Sequence, residues 1–186
     1  MNLFLDTETT DFWNFSAEYD DPSQPPPCQV AFILETPEKR AVATISLLIN
    51  WGKEWPITER AQKCHNITQE MVDTFGVEPL VAWEMIKKFH DLAERIIGHN
   101  IPFDIGVLSR MANLLNVVPL RNLNYTCTMR ESTTIVRIPS PRGSGYKWPN
   151  LSEAYFFFTK KKLSGAHDAL VDVYGARAVY RALESR

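Results

Sequence analysis

Apolar residues in the first quarter of the chain are spaced as in β-strands. Runs of apolar and β-branched residues at positions 3–6, 29–35 and 41–49 are separated by a proline-rich loop and by the short turn PEKR. Strands bounded by such turn-forming residues read as strands of one sheet. The pattern therefore predicts an antiparallel meander of three strands at the start of the chain.

From residue 58 onward the pattern is mostly helical. Thr58 and Thr68 stand where N-caps are expected, and apolar residues in PLVAWEMIKKFHDLAERII and after Pro102 recur at helical spacing. Short strands are predicted at RIIGHN and YTCTM, and further helices at 151–157 and from about 167 to 182. The segment PSPRGSGYKWPN, which precedes the helix at 151–157, is a basic loop. The whole describes an α/β or α+β domain, and we expect residues 1–186 to form a single domain.

Composition limits the class of protein and the cellular compartment that we expect. A chain of 186 residues with 45% apolar and 23% charged residues can bury a core without disulfides. Its three cysteines lack CxxC spacing, which argues against a disulfide framework and a structural zinc site and favours a reducing, cytoplasmic location. No window approaches the ~18 apolar residues of a membrane span, so no membrane partner is expected. The net charge of -2 neither supports nor excludes a polynucleotide substrate.

The first predicted strand ends in two carboxylates, Asp6 and Glu8, in the stretch LFLDTETTDFW. Residues i and i+2 of a strand project from the same face, so the two side chains point the same way. Like charges held together repel each other and are costly to desolvate unless a cation joins them. The pair therefore predicts a cation site.

Two later segments supply further carboxylates. Asp104 falls in the first turn of the helix after RIIGHN, where a lone acid most simply compensates the helix dipole. Asp168 and Asp172 lie four residues apart at the start of the last helix, next to His167. Asp168 is expected to cap this helix, whereas Asp172, one turn further in, is the better candidate for an inward carboxylate. A capped, solvated helix start is the alternative reading.

Four carboxylates without cysteine suit hard divalent cations, Mg²⁺ or Mn²⁺. Two such ions would balance four negative charges. The chemistry that uses such a pair is in-line displacement at phosphorus, in which the ions lower the pKa of a water and stabilise the developing charge. A histidine nearby can take the proton from that water at neutral pH.

The segments DTETTD, GHNIPFD and GAHDALVD, in this order, resemble the three motifs of the DEDDh exonucleases, the DnaQ-like 3′-to-5′ exonuclease family. The resemblance spans nearly the whole chain. It implies an α/β fold of the ribonuclease H-like kind, with a central mixed five-stranded sheet whose first three strands are antiparallel, flanked by helices. The segment YKWPNLSEAY is closest in look to stand-alone bacterial and phage members.

The resemblance also implies roles for individual residues. Two divalent cations would be held by Asp6, Glu8, Asp104 and Asp172, with His167 as general base. The segment CHNIT resembles the family's His-Gly-Ile-Thr, which lies beside the terminal nucleotide. The residues predicted to contact substrate are Thr7, Thr9, Phe12, Trp13, His65, Asn100 and Phe103.

Two positions depart from the family pattern. Asp11 stands where a glycine often follows DTETT, and Asn66 replaces the glycine after the histidine. Neither is a predicted metal ligand. The adjacent Phe12 and Trp13 have two readings, either packing for the proline-rich loop or stacking on the terminal bases of a single strand.

The expected function is metal-dependent release of nucleoside monophosphates from the 3′ end of single-stranded or frayed DNA or RNA. Two alternatives remain open: a proofreading subunit that acts within a polymerase complex, and a nucleic-acid-binding module that has lost catalysis on the same fold. The sequence indicates no obligatory protein partner and does not distinguish DNA from RNA, because no residue marks a 2′-hydroxyl contact.

Overall fold

The computed structural model describes residues 1–18, 21–121 and 124–186 and has a mixed five-stranded sheet at its centre. The strands lie in the order β3-β2-β1-β4-β5. β2 is antiparallel to both β1 and β3, and β4 and β5 run parallel to β1. The predicted mixed sheet with three antiparallel strands at the start is therefore confirmed. The strands are β1 (Asn2–Thr9), β2 (Pro27–Glu35), β3 (Ala41–Leu48), β4 (Arg95–Gly98) and β5 (Tyr125–Cys127).

Helices cover both faces of this sheet. They are α1 (Glu59–His65), α2 (Gln69–Phe75), α3 (Pro79–Leu92), α4 (Ile101–Leu115), α5 (Thr128–Val136), α6 (Leu151–Thr159) and α7 (Ala169–Glu184). The predicted caps are confirmed, since the Thr58 and Thr68 side chains accept hydrogen bonds from backbone N–H groups in the first turns of α1 and α2. Within the described ranges, none of these helices carries an apolar stretch long enough to cross a bilayer.

The sequence pattern does not predict α5. The YTCTM strand is expected to continue through Met129, but β5 ends at Cys127 and α5 begins at Thr128. The rest of α5 is rich in β-branched residues, which have low helix propensity. Burial of Thr128, Met129 and Ser132 against the sheet and its neighbouring helices stabilises the helix instead.

Alternate residues of β1 pack into different halves of the core. Leu3 and Leu5 pack on the face covered by α3 and α4, whereas Phe4 packs on the opposite face with Val173 of α7. All three β1 residues are at most 1% exposed. Because the carboxyl end of β1 lies between α4 and α7, residues from both helices can meet there.

Gly98 permits α4 to lie close to β1. A Cβ atom at this position would approach the Leu5 carbonyl oxygen and the Ile101 Cδ1 atom to 2.8 Å each, which real side chains do not tolerate. The absence of a side chain therefore fixes where α4 begins relative to the end of β1.

Candidate active site

Carboxylates from the first and third sequence motifs meet at the carboxyl end of β1. Asp6 and Glu8 alternate with Thr7 and so lie on the side of the strand that faces α7. Glu8, His167 and Asp172 each offer one ligand atom within 4.8 Å of the other two. The expected proximity of these motifs is thus present in the fold.

Asp104 reaches the same place from the other face of the sheet. Its carboxylate is 2% exposed, and its Oδ1 atom accepts hydrogen bonds from the Thr7 backbone N–H at 2.9 Å and the Thr7 hydroxyl at 2.8 Å. Both donors belong to β1, so they fix the first turn of α4 against the strand. Asp104 and Asp6 are not in the 4.8 Å group, but each interacts electrostatically with Asp172.

A buried glutamine positions the start of α7. Gln29 lies opposite Glu8 in the register of β1 and β2, and its Oε1 atom accepts a hydrogen bond from the Ala169 N–H at 3.1 Å. Asp168 caps the helix by accepting hydrogen bonds from Leu170 and Val171, as predicted. Sequence reasoning missed Gln29, although a lone amide in the apolar run CQVAFILE was a signal for it.

His167 has a backbone conformation that turns the chain into this site. Its φ of 69° lies in the left-handed region, and its backbone N–H donates to Asp172 Oδ2 at 3.2 Å. The side chain is exposed, and one of its ring nitrogens is in the group with Glu8 and Asp172. The imidazole can therefore accept a proton from a molecule that enters between these carboxylates.

Burial and mutual repulsion raise the pKa of every predicted ligand. Burial, with added repulsion from Asp172 and Asp104, raises the pKa of Glu8 to about 8. Burial raises the pKa of Asp104 to about 7, although its two bonds from Thr7 oppose the rise. The pKa values of Asp6 and Asp172 are also raised, mainly by burial. Without a cation, the four groups cannot all be ionised cheaply at neutral pH.

The cluster fits a divalent cation. Asp172 Oδ1 is a buried oxygen that accepts no hydrogen bond from the described residues, although a buried carboxylate oxygen is normally satisfied. The set contains oxygen ligands and one imidazole but no thiolate, which suits a hard ion. The fit rests on the unsatisfied oxygen together with the raised pKa values.

Thr9 and His65 link the end of β1 to α1. His65 is 6% exposed, and its Nδ1 atom accepts a hydrogen bond from the Ile67 N–H at 3.0 Å. Its Nε2 atom lies 3.3 Å from the Thr9 carbonyl, so a neutral ring carries its proton on Nε2 and donates it to that carbonyl. Burial lowers the pKa of His65, which favours this neutral form.

The aromatic residues that were predicted to contact substrate differ in exposure. Trp13 is 7% exposed and packs edge-on against Phe103 with ring centroids 5.6 Å apart. Phe12 is 53% exposed, and the Arg60 guanidinium lies 5.4 Å from the centre of its ring. Trp13 thus packs inside the protein, whereas part of the Phe12 ring is exposed beside the end of β1.

The two departures from the family pattern have local explanations. Asn66 caps the C-terminus of α1 with φ of 61°, a left-handed conformation that asparagine adopts more readily than most residues. Asp11 forms an ion pair with Arg60 and accepts a hydrogen bond from the Thr58 hydroxyl at 2.7 Å. These bonds lower the pKa of Asp11 to about 2.

Asn100 is the N-cap residue of α4, with φ of 69° and no capping hydrogen bond from its side chain. The neighbouring His99 lies between two other segments: its Nδ1 is 3.0 Å from the Thr128 hydroxyl and its Nε2 is 2.9 Å from the Pro149 carbonyl. Since a carbonyl only accepts, Nε2 donates, and burial lowers the His99 pKa and keeps the ring neutral. His99 therefore connects the α4 start to α5 and to the loop before α6.

A cluster of buried and partly buried carboxylates on a mixed sheet, with helices on both faces, defines an α/β protein of the ribonuclease H-like kind with a candidate metal centre. Comparison with protein families agrees with this class. The model of the RNase_T exonuclease family matches residues 3–180, and the chain belongs to this family, the DnaQ-like 3′–5′ exonucleases. Members of this family use divalent metal ions. A search of curated protein sequences finds no match.

Solved structures with the same fold include exonuclease I from E. coli. Its complex with a dT13 oligonucleotide has a TM-score of 0.76 at 18% identity, covering 100% of this chain and 41% of that one. The zinc-bound form of its single-stranded DNA complex has a TM-score of 0.78 at 18% identity, covering 100% and 40%. A product-bound exonuclease I structure gives 0.76 at 17% identity, covering 100% and 43%. The chain thus spans about two fifths of these proteins, and the likeness confirms the predicted fold.

Proposed function

We propose that this protein removes nucleoside monophosphates one at a time from the 3′ end of a single-stranded or frayed polynucleotide. One observation carries the proposal: Glu8, His167 and Asp172 converge within 4.8 Å beside Asp6 and Asp104. Family membership supplies the reaction class, and the direction of digestion is part of the proposal. The exonuclease I neighbours, described as bound to single-stranded oligonucleotides, favour a single strand as substrate.

In the proposed mechanism, two divalent cations, Mg²⁺ or Mn²⁺, would be held by Asp6, Glu8, Asp104 and Asp172. When bound, such ions lower the pKa of a water and stabilise charge at the phosphorus. At its unprotonated ring nitrogen, the side chain of His167 accepts the proton of the water that attacks phosphorus, while the bond from phosphorus to the 3′ oxygen of the preceding nucleotide breaks. Its backbone N–H bond to Asp172 Oδ2 keeps the ring beside the carboxylates.

A substrate-binding role is proposed for one residue near the end of β1, and positioning roles for its neighbours. Phe12 is the exposed ring that can stack on a terminal base. Thr7 and His65 use their polar atoms within the protein, so their roles are to position Asp104 and the Thr9 carbonyl. Trp13 and Phe103 hold the loop after β1, and Asn100 shapes the start of α4.

The direct test is digestion of a 5′-labelled oligonucleotide in Mg²⁺. A ladder that shortens from the 3′ end, with immediate release of a 3′ label as mononucleotide, is the expected result. Resistance of a circular single strand would establish the need for an end. A bound but intact oligonucleotide in both Mg²⁺ and Mn²⁺ would instead identify a catalytically silent binding module. Activity that appears only after a polymerase is added would identify a proofreading subunit.

The role of His167 can be tested separately from metal binding. We expect His167→Ala to lower turnover by a factor on the order of 10² to 10⁴, the usual contribution of a general base, with little change in Mg²⁺ affinity. Glu59→Gln, which removes an exposed carboxylate from α1, is the matched control and should change neither quantity. Recovery of full rate by the alanine variant at high Mg²⁺ would assign His167 to metal binding instead.

The proposed compartment and domain organisation follow from the cysteines and from the extent of the fold. All three cysteines are free, which is consistent with action in a reducing, intracellular compartment. We also propose that residues 1–186 act as one exonuclease domain. Matched DNA and RNA strands in the same assay would decide the sugar preference.

A further inference from the structure

The loop between α5 and α6 forms a small hairpin. We call residues 137–149 the basic arm. Pro139 and Tyr146 form an antiparallel bridge, and the Lys147 N–H donates to the Ile138 carbonyl at 2.9 Å. Gly143 and Gly145 have φ of 120° and 88°, which permit the tight turn at its tip. The arm therefore has a defined shape, and most of its residues are exposed.

The base of the arm lies at the end of the sheet where the carboxylates are found. β1, β4 and β5 are parallel, so their carboxyl ends lie at the same end of the sheet. His99, directly after β4, bonds the Pro149 carbonyl at 2.9 Å. Arg130, in the first turn of the helix that follows β5, lies with its guanidinium 5.9 Å from the centre of the Trp148 ring. Trp148 therefore lies at the same end of the sheet as the candidate active site.

Exposed rings and cations without a carboxylate partner occur together on the arm and on the neighbouring helix α5. Tyr146 is 46% exposed and Trp148 is 60% exposed. Within the described part of the chain, Arg130, Arg137 and Arg142 form no ion pair with a carboxylate. Lys147 differs because Glu153 neutralises it at 2.6 Å.

We infer that the basic arm binds the single strand on the 5′ side of the nucleotide being removed. Single-strand sites combine cations, which contact phosphates, with aromatic rings, on which bases stack irrespective of sequence. Trp148 supplies a ring already held by a guanidinium, and the arginines supply a positive charge that complements a polyanion. The inference deepens the proposed exonuclease function and rests on it for the direction of the strand.

The test compares a long and a short substrate. Binding of an oligonucleotide of about 20 thymidines and of a thymidine trinucleotide is measured by fluorescence anisotropy in EDTA, where no hydrolysis occurs. Trp148→Ala should weaken binding of the long strand by about 5- to 100-fold and leave the trinucleotide unchanged. Trp148→Phe, which keeps an aromatic face, should retain most of the affinity. In Mg²⁺, KM for the long strand should rise while kcat stays near the wild-type value.

The charges are tested by salt dependence. The double variant Arg137→Gln/Arg142→Gln should reduce the slope of log affinity against log salt by ~0.7 for each phosphate that the arginines no longer neutralise. Arg40→Gln/Lys88→Gln removes two exposed cations, one in the turn between β2 and β3 and one near the end of α3, and should leave the slope unchanged.

The outcomes separate this inference from the function it deepens. Suppose that hydrolysis is normal, that Trp148→Ala binds the long strand as tightly as wild type, and that the arginine variant has an unchanged salt slope. These results would refute strand binding by the basic arm and leave the exonuclease proposal intact. If binding of the long strand depends on the arm but no hydrolysis occurs in Mg²⁺ or Mn²⁺, the exonuclease proposal is refuted and strand binding by the basic arm is supported.

Discussion

Replacing Thr7 with valine tests whether Asp104 is tuned for metal binding by its neighbour on β1. Valine has nearly the shape of threonine but removes the hydroxyl that donates to Asp104 Oδ1 at 2.8 Å, while the backbone N–H bond at 2.9 Å remains. Because Thr7 is 5% exposed, water cannot easily replace the missing donor. The ionised form of Asp104 is therefore stabilised less in the variant than in the wild type.

The size of the effect follows from the bond that valine cannot form. A buried hydrogen bond to a charged group contributes about 2 kcal/mol, a factor of roughly 30 in the ionisation equilibrium. In the wild type, the pKa of Asp104 is about 7, so about half of the carboxyls are ionised at neutral pH before metal binds. A metal ligand must be deprotonated, so the valine variant should bind Mg²⁺ roughly 10-fold more weakly at pH 7. At about pH 9 both proteins are ionised and the difference should nearly disappear.

Isothermal titration with Mg²⁺ at several pH values measures this difference directly. Thr7→Ser keeps the hydroxyl and serves as the control, with affinity close to wild type at each pH. A defect of the same size at pH 7 and pH 9 would show that the hydroxyl acts by geometry rather than through the charge of Asp104. No defect at pH 7 would show that the Thr7 hydroxyl does not tune the ionisation of Asp104.

Three other predictions concern the same region. Asp6→Asn should abolish hydrolysis and raise the melting temperature of the metal-free protein, because one of several repelling carboxylates is gone; melts with and without Mg²⁺ should show a metal-induced shift only in the wild type. The raised pKa of Glu8, about 8 against an ordinary 4.5, should make the metal-free protein lose stability as pH rises from about 4.5 to about 8, with Mg²⁺ restoring it; melts in EDTA that are flat over this range would contradict the prediction. Phe12→Ala should raise KM for single strands with little change in melting temperature, whereas Trp13→Ala should lower the free energy of unfolding by about 3 kcal/mol or more; kinetics and denaturant melts on both variants separate the two roles.

The spacing of charged and apolar residues was sufficient to predict the antiparallel start of the sheet and the positions of the carboxylates, whereas the mixed five-stranded sheet was expected from the family resemblance. Alternation in β1 places Asp6 and Glu8 on one face, and this depends only on strand geometry. Asp168 as a cap and Asp172 one turn later follow from helix periodicity and are found in α7. Local rules of this kind need no knowledge of distant contacts.

Contacts between distant segments were not predictable in this way. The bond from Ala169 to Gln29 joins residues 140 positions apart, and that from Thr7 to Asp104 joins residues 97 apart. The sequence around Thr7 does not show whether its hydroxyl contacts substrate or donates a hydrogen bond to Asp104. The pattern for α5 failed for a related reason, since tertiary burial outweighs the low helix propensity of its β-branched residues.

The loop after β1 is held from two sides, and this explains how an exposed aromatic ring can serve binding. On one side, the pair of Asp11 with Arg60 attaches the loop to α1; on the other, Trp13 packs against Phe103 on α4. Phe12 lies between these two attachments and points outward with one face near Arg60. A ring ordered before the substrate arrives loses little conformational entropy on stacking. The aspartate in place of a glycine therefore stabilises one conformation of the loop where a glycine would leave the backbone freer.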